Sequence, residues 1–205
     1  MRRMIRVALA VVLLGGVLIL STGCLFNIFQ TARMLGAGNT ALTIGVGMMD
    51  IVTIDDGPNW NLTPQARLTF GLSDTVDLGI QTGALVPLST GDFGWLGVKG
   101  DVLFSLVDDP EAFSFAVGIG AGYGLEFLNT AVFGEAIFSV NGSLPLTIVY
   151  QPTVPLTGAF TVLHHISGGL ELPISETASI FLVVDVRPQE PRMLVSYGLG
   201  FQIGF

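Results

Sequence analysis

The residues with the clearest chemical potential lie close together near residue 165. His165, Ser167 and Glu171 are separated by even numbers of positions in the run that begins at His164, HHISGGLE. If this run is a β-strand, alternation places all three side chains on one face. A serine, a histidine and a carboxylate are the nucleophile, base and orienting acid of enzymes that form an acyl intermediate. Residues two apart on a strand are about 6–7 Å apart at Cα, so contact between Ser167 and His165 depends on their rotamers.

A second set of ionisable residues recurs in other alternating segments, always on the face opposite the large apolar residues. Its members are Arg67, Asp77, Lys99, Asp101, Glu135, His165, Glu171 and Asp185. Both signs of charge are present, and an unpaired buried charge is costly, so these groups are expected to pair inside the protein. Two interpretations stay open: a structural network of ion pairs and hydrogen bonds, or a polar lumen that conducts small solutes. The pattern predicts no metal ion and no cofactor.

The last stretch of the chain shows most clearly which elements position these residues. Met193–Phe205 alternates over thirteen residues, with Met193, Val195, Tyr197, Leu199, Phe201, Ile203 and Phe205 on one face. The opposite face carries mainly glycine, serine and glutamine. Globular strands are mostly about 5–6 residues long, whereas a tilted strand that crosses a bilayer needs about 9–11. The stretch therefore predicts a membrane-spanning strand with its large residues towards lipid.

Nine earlier segments repeat this pattern. They are predicted at residues 40–48, 65–72, 76–86, 95–106, 112–124, 131–140, 144–151, 160–172 and 179–186. The expected fold is all-β, an up-and-down antiparallel transmembrane β-barrel of ten strands. Eight strands is the alternative, because the sixth and seventh segments are the weakest. Odd-numbered connections are predicted to be long and even-numbered ones short, an asymmetry that places both termini in the periplasm.

Composition supports a membrane barrel and excludes some functions. Half of the 205 residues are hydrophobic and 27 are glycine, but only 12% are charged, against about 25% in soluble domains. A net charge of −8 without a basic patch argues against nucleic-acid binding. A lipid-anchored, soluble, lipocalin-like binding barrel is a further alternative, but its apolar face would point inwards. A solvent-facing surface of glycine with so few charges would be poorly soluble.

The N-terminus predicts export. Arg2, Arg3 and Arg6 precede an apolar run over residues 7–20, and small residues lead to Cys24. Residues 1–23 are therefore a predicted signal peptide. The stretch Leu20–Cys24 resembles the bacterial lipoprotein signal, which implies cleavage before Cys24 and lipid on that cysteine. Residues 24–37 are then a periplasmic linker, with a short helical turn expected around residues 31–35, and residues 38–205 form the barrel.

Two further stretches resemble bacterial outer-membrane proteins. Residues 70–79, FGLSDTVDLG, resemble the strand–turn–strand hairpin of outer-membrane barrels. Phe205 resembles the terminal aromatic through which such barrels are recognised by the barrel-assembly machinery. The resemblance implies an outer-membrane location, outer-membrane lipid and that machinery as partners, and a structural or small-solute channel role of porin-like type. The oligomeric state stays open.

The run His165-Ile166-Ser167 is similar to the His-x-Ser of outer-membrane lipid A 3-O-deacylases, which are small barrels. This resemblance implies an alternative function as an acyl hydrolase, with His165 as base and Ser167 as nucleophile. The orientation of the pair distinguishes the two readings. Side chains that face lipid together favour the hydrolase, whereas side chains that lie among Arg67, Lys99 and Glu135 favour the lumen network.

Overall fold

The chain forms a closed ten-stranded barrel. The computed structural model describes residues 29–50, 60–124, 129–142, 144–157, 162–189 and 192–205. The strands are β1 (Thr40–Asp50), β2 (Trp60–Ser73), β3 (Val76–Pro87), β4 (Gly94–Asp108), β5 (Phe113–Gly124), β6 (Asn129–Val140), β7 (Leu146–Pro155), β8 (Leu163–Pro173), β9 (Ala178–Gln189) and β10 (Arg192–Gly204). Each strand pairs antiparallel with the next, and β1 pairs with β10. The predicted fold class is confirmed, with ten strands rather than eight. Among the described residues, no helix is long and apolar enough to cross a membrane.

Several predicted elements lie outside the described residues. These are the signal peptide, Cys24, most of the first loop, the connection over residues 125–128 and the predicted start of the eighth strand at residue 160.

Two prolines account for the largest errors in the predicted strand ends. The second predicted strand began just after Pro64 and the seventh ended just before Pro152, yet both residues lie within strands, β2 and β7. The β2–β3 ladder passes from Gln65–Gly83 to Leu62–Val86, so it skips Pro64. The β6–β7 ladder skips Pro152 in the same way. A proline has no N–H to donate, and a strand tolerates it where the ladder is interrupted.

The barrel has apolar residues outside and many polar residues inside. Ile148 is 49% exposed while its neighbour Val149 is 1% exposed, and this alternation recurs around the barrel. Trp95 and Tyr123 lie together on the outer face, with ring centroids 5.8 Å apart. This is the polarity of a membrane barrel. The lipocalin-like alternative requires the reverse polarity, so the structure contradicts it.

The barrel has two distinct ends. We call the end that carries Thr40 and Gly204 the terminal end, and the opposite end the loop end. The longest connection, residues 51–59, is at the loop end, as predicted. However, only two residues separate Gln189 from Arg192 at that same end, where a loop over residues 187–191 was expected. The asymmetry between the ends is therefore weaker than the sequence predicted.

The described chain before β1 lies inside the barrel and leaves it at the terminal end. Residues 29–35, here called the lumen segment, were expected in a periplasmic linker, but they lie inside the barrel. Phe29 and Ala32 are 3% and 0% exposed. The segment has no helical turn. Gly36 has a φ of +80°, and a Cβ on Gly71 would lie only 1.9 Å from its carbonyl oxygen. These two glycines let the chain fold back over the rim, because a side chain at either position would be strained or would clash.

Candidate functional site

A buried ion pair crosses one strand of the wall. Arg67 on β2 donates two hydrogen bonds to Asp101 on β4, at 2.7 and 2.6 Å. Both side chains are at most 2% exposed. They meet above Gly79 of β3, where a Cβ would lie 2.0 Å from the Arg67 guanidinium and 2.6 Å from Asp101. The missing side chain of Gly79 therefore leaves the space that this bidentate pair occupies.

Lys99 links three parts of the wall. Its Nζ lies 3.5 Å from Glu135 Oε1 on β6 and donates to Gln151 Oε1 on β7 at 3.2 Å. It also lies 5.4 Å from the centroid of the Phe133 ring, a cation–π distance. β4 and β7 are only three strands apart in a ring of ten, so this contact follows one side of the lumen. Lys99 is 2% exposed, so its charge is buried among these partners.

The predicted chemical set on β8 faces the lumen but does not assemble as a catalytic triad. His165 and Ser167 are 2% and 1% exposed. The acid beside His165 is Asp185 on β9, at 3.2 Å from His165 Nε2. Glu171 instead accepts hydrogen bonds from Ser179 at 2.7 Å and from Arg33 at 2.9 Å. Neither His165 nor Ser167 faces the lipid side of the wall, so the orientation disfavours the acyl hydrolase.

The lumen segment binds the wall mainly through carboxylates. Glu135 accepts a hydrogen bond from Gln30 Nε2 at 2.9 Å, Glu171 from Arg33 Nη2 at 2.9 Å, and Asp77 from the Leu35 backbone N–H at 3.1 Å. The Ala32 N–H also donates to Ser139 Oγ at 2.9 Å. Asp77 on β3 and Glu171 on β8 belong to strands five apart in either direction around the barrel. The segment therefore spans the lumen between opposite walls.

An apolar seat holds the deepest described residue of the segment. The Phe29 ring lies against Gly45 and Gly200, which pair across the β1–β10 seam. A Cβ on Gly45 would lie 2.4 Å from the ring, and one on Gly200 would lie 2.8 Å away. Phe181 and Val183 complete the seat. Because Gly45 is the middle residue of β1, Phe29 obstructs the lumen near mid-height.

A second apolar cluster continues the obstruction towards the terminal end. Ala32 of the segment packs with Leu103, Ala116, Ile137 and Val149 of the wall, and Met34 lies against the same cluster. A cavity of about 510 Å³ extends from beside these contacts to the terminal end. Among its lining residues are Arg33, Asp77, Glu171, Asp108 and Glu176. The lumen thus has a polar vestibule at the terminal end and a packed centre.

The structure brings the predicted inward residues into the lumen, each at most 6% exposed. The sequence pattern did not indicate the lumen segment, including Phe29, Gln30 and Arg33, or the buried position of Arg187 on β9. Facing glycines such as Gly45 and Gly200 are a signal that could have indicated a seat, but only once the strand register was known. Among the described residues, no three His, Cys, Asp or Glu side chains are grouped so that they could hold a metal ion.

The similarity of this chain to known proteins is one of fold. No protein-family model and no curated protein matches the sequence. Among solved structures, the N-terminal β-barrel domain of OprF from Pseudomonas aeruginosa is 13% identical, with 83% of this chain and 99% of that one covered at a TM-score of 0.38. The Yersinia pestis outer membrane protein Ail is 11% identical, covering 82% and 99%, at 0.40. A de novo designed transmembrane β-barrel is 10% identical, covering 84% and 100%, at 0.37. At these values the likeness carries no information about activity.

Proposed function

We propose that this protein is an outer-membrane barrel whose lumen is a narrow path for small solutes, held closed by the lumen segment. The observation that carries the proposal is the set of hydrogen bonds from the segment to Asp77, Glu135 and Glu171. These bonds occupy polar groups that would otherwise line an aqueous path through the barrel.

The polar contacts that close the lumen favour a solute path over a segment that only fills the inside of the barrel. Replacing buried ion pairs with apolar side chains is often neutral or stabilising, so a barrel that only needed filling would not require a polar wall. Residues 29–35 take no part in the strand ladders, which begin at Thr40. The segment can therefore leave the lumen without breaking a hydrogen bond between strands.

The proposal includes the location and the anchor. The apolar outer face supports insertion in the outer membrane, with outer-membrane lipid around it and both termini in the periplasm. We propose that Cys24 carries lipid and that Phe205 is recognised by the barrel-assembly machinery. The backbones of Phe205 and Thr40 hydrogen-bond to each other at the seam, and the Phe205 side chain stays exposed.

A lipid on Cys24 would be coupled to the lumen segment by the short chain between them. Phe29 lies five positions after Cys24, and an extended chain of that length spans at most about 18 Å. The distance along β1 from Thr40 to Gly45 is about 17 Å. If the lipid lies in the leaflet at the terminal end while Phe29 stays in its seat, the chain between Cys24 and Phe29 must be almost fully extended.

Single-channel conductance in a planar bilayer tests the proposal. The test variant combines Phe29→Ala, Gln30→Ala and Arg33→Ala, which removes the seat contact and two side-chain bonds but leaves the barrel wall unchanged. We expect the wild-type protein to be mostly silent and the triple variant to conduct in small, stable steps.

The matched control replaces three exposed residues of the β3–β4 connection, Leu88, Thr90 and Asp92, with alanine and should behave as the wild type. Circular dichroism establishes that each protein is folded. A folded triple variant that stays silent refutes the solute path. A wild type that conducts as readily as the variant refutes closure by the segment.

A further inference from the structure

We propose that the path opened by withdrawal of the lumen segment prefers cations; this inference rests on the proposed function. The inward wall carries five carboxylates and three basic groups, all buried: Asp77, Asp101, Glu135, Glu171 and Asp185 against Arg67, Lys99 and Arg187. The seated segment adds the cation Arg33. When the segment leaves, the wall keeps its excess of carboxylates and loses that cation.

The pairing of these charges places the excess at the terminal end. Arg67 stays locked to Asp101 by two hydrogen bonds, and Lys99 faces Glu135 at 3.5 Å. Asp185 and Arg187 contribute one charge of each sign near the loop end.

None of the described salt bridges joins Asp77 or Glu171 to a basic side chain of the wall, and Arg67, whose charge acts on Asp77, directs its two hydrogen bonds to Asp101. Glu171 loses Arg33 and keeps only Ser179 among its described donors, and Asp77 loses the Leu35 N–H.

The position of these two carboxylates suits a passing cation. Asp77 and Glu171 lie on opposite walls of the lumen, near the terminal end of β3 and of β8. Both line the vestibule, together with Asp108 and Glu176 of its rim, and Arg67 is the one basic wall side chain among the described lining residues. A mouth lined mainly by one sign of charge raises the local concentration of the opposite ion.

The segment itself shows what this wall accepts. Residues 29–35 read FQTARML, with one positive and no negative side chain. All three wall carboxylates that it contacts receive an N–H donor, and Glu171 receives the Arg33 guanidinium. A small hydrated monovalent cation supplies the same positive charge in its place. The solute class is therefore small inorganic cations.

Reversal potentials in a KCl gradient test the preference, with the triple segment variant as the conducting background. We expect the reversal potential to lie between zero and the equilibrium potential of potassium. Adding Asp77→Asn and Glu171→Gln should shift it towards zero. Glu111→Gln removes one exposed charge at the terminal end outside the lumen, and this control should leave the reversal potential unchanged.

The outcomes separate the two proposals. A conducting background that prefers chloride, or a preference that survives loss of both carboxylates, overturns the cation inference and leaves the solute path standing. A folded background that does not conduct overturns both. Arg33→Ala alone gives a second route if the triple variant does not fold. This variant should open more often than the wild type, with a reversal potential of the sign expected for the triple variant. Openings that prefer chloride count against the inference. So does an opening frequency no higher than that of the wild type.

Discussion

Replacing Arg67 with methionine should strongly destabilise the barrel. The change leaves the Asp101 carboxylate, which is 0% exposed, without the two hydrogen bonds that it now accepts at 2.6 and 2.7 Å. Removal of one partner of a buried ion pair costs about 3–5 kcal/mol, because the remaining charge is desolvated and uncompensated. Methionine fills a similar volume, so the expected loss of about 3–5 kcal/mol is electrostatic rather than a cavity effect.

A double-mutant cycle separates the pair from its surroundings. With Asp101→Leu added, both members of the pair are apolar, and replacement of a whole buried pair is often neutral or stabilising by about 1–4 kcal/mol. The double variant should therefore be more stable than Arg67→Met alone. Arg33→Met provides the control, since the Arg33 side chain of the Arg33–Glu171 pair is 39% exposed. Glu171 is 8% exposed but keeps the hydrogen bond from Ser179 at 2.7 Å, so this control should cost less than Arg67→Met.

Urea unfolding in detergent micelles measures these differences. Trp60 and Trp95 lie on the outer face, so their fluorescence reports the loss of contact with the micelle. A stabilising role for the buried pair is refuted if Arg67→Met lowers the free energy of unfolding by less than about 1 kcal/mol. It is also refuted if the costs of Arg67→Met and Asp101→Leu simply add, because additivity would mean that the two groups do not depend on each other.

Two further predictions concern the lumen segment and the anchor. Gly45→Val should expel Phe29, since even a Cβ at this position would lie 2.4 Å from the ring; trypsin should then cut after Arg33 faster than in the wild type, while Gly168→Val, where a Cβ meets nothing within 4 Å, leaves the rate unchanged. Equal cleavage rates in both variants would contradict the seat. Cys24→Ser should remove the mass of the attached lipid from the mature protein in mass spectrometry, and a wild-type chain without added acyl mass would contradict lipidation.

Local pattern in the sequence was sufficient for the fold. Alternation along a strand is a property of the backbone, so the thirteen-residue stretch that ends at Phe205 determined which side chains share a face. Repeated through the chain, it predicted ten strands and an apolar outer surface. It also predicted that Arg67, Lys99 and Glu135 lie on the inner face, which is where the structure places them. Strand ends were less accurate, because the effect of Pro64 and Pro152 depends on ladder gaps in the neighbouring strands.

Only the tertiary structure decided which inner groups meet and what fills the lumen. Glu171 pairs with Arg33 rather than with His165, a choice that depends on closure of the barrel and on the path of a distant segment. Phe29 is buried because Gly45 and Gly200 become neighbours when β10 closes on β1, although 155 positions separate them in the chain. The sequence by itself therefore determined the strands and their faces, since both follow from local geometry. The obstruction of the lumen follows from contacts that exist only after the ends of the sheet have met.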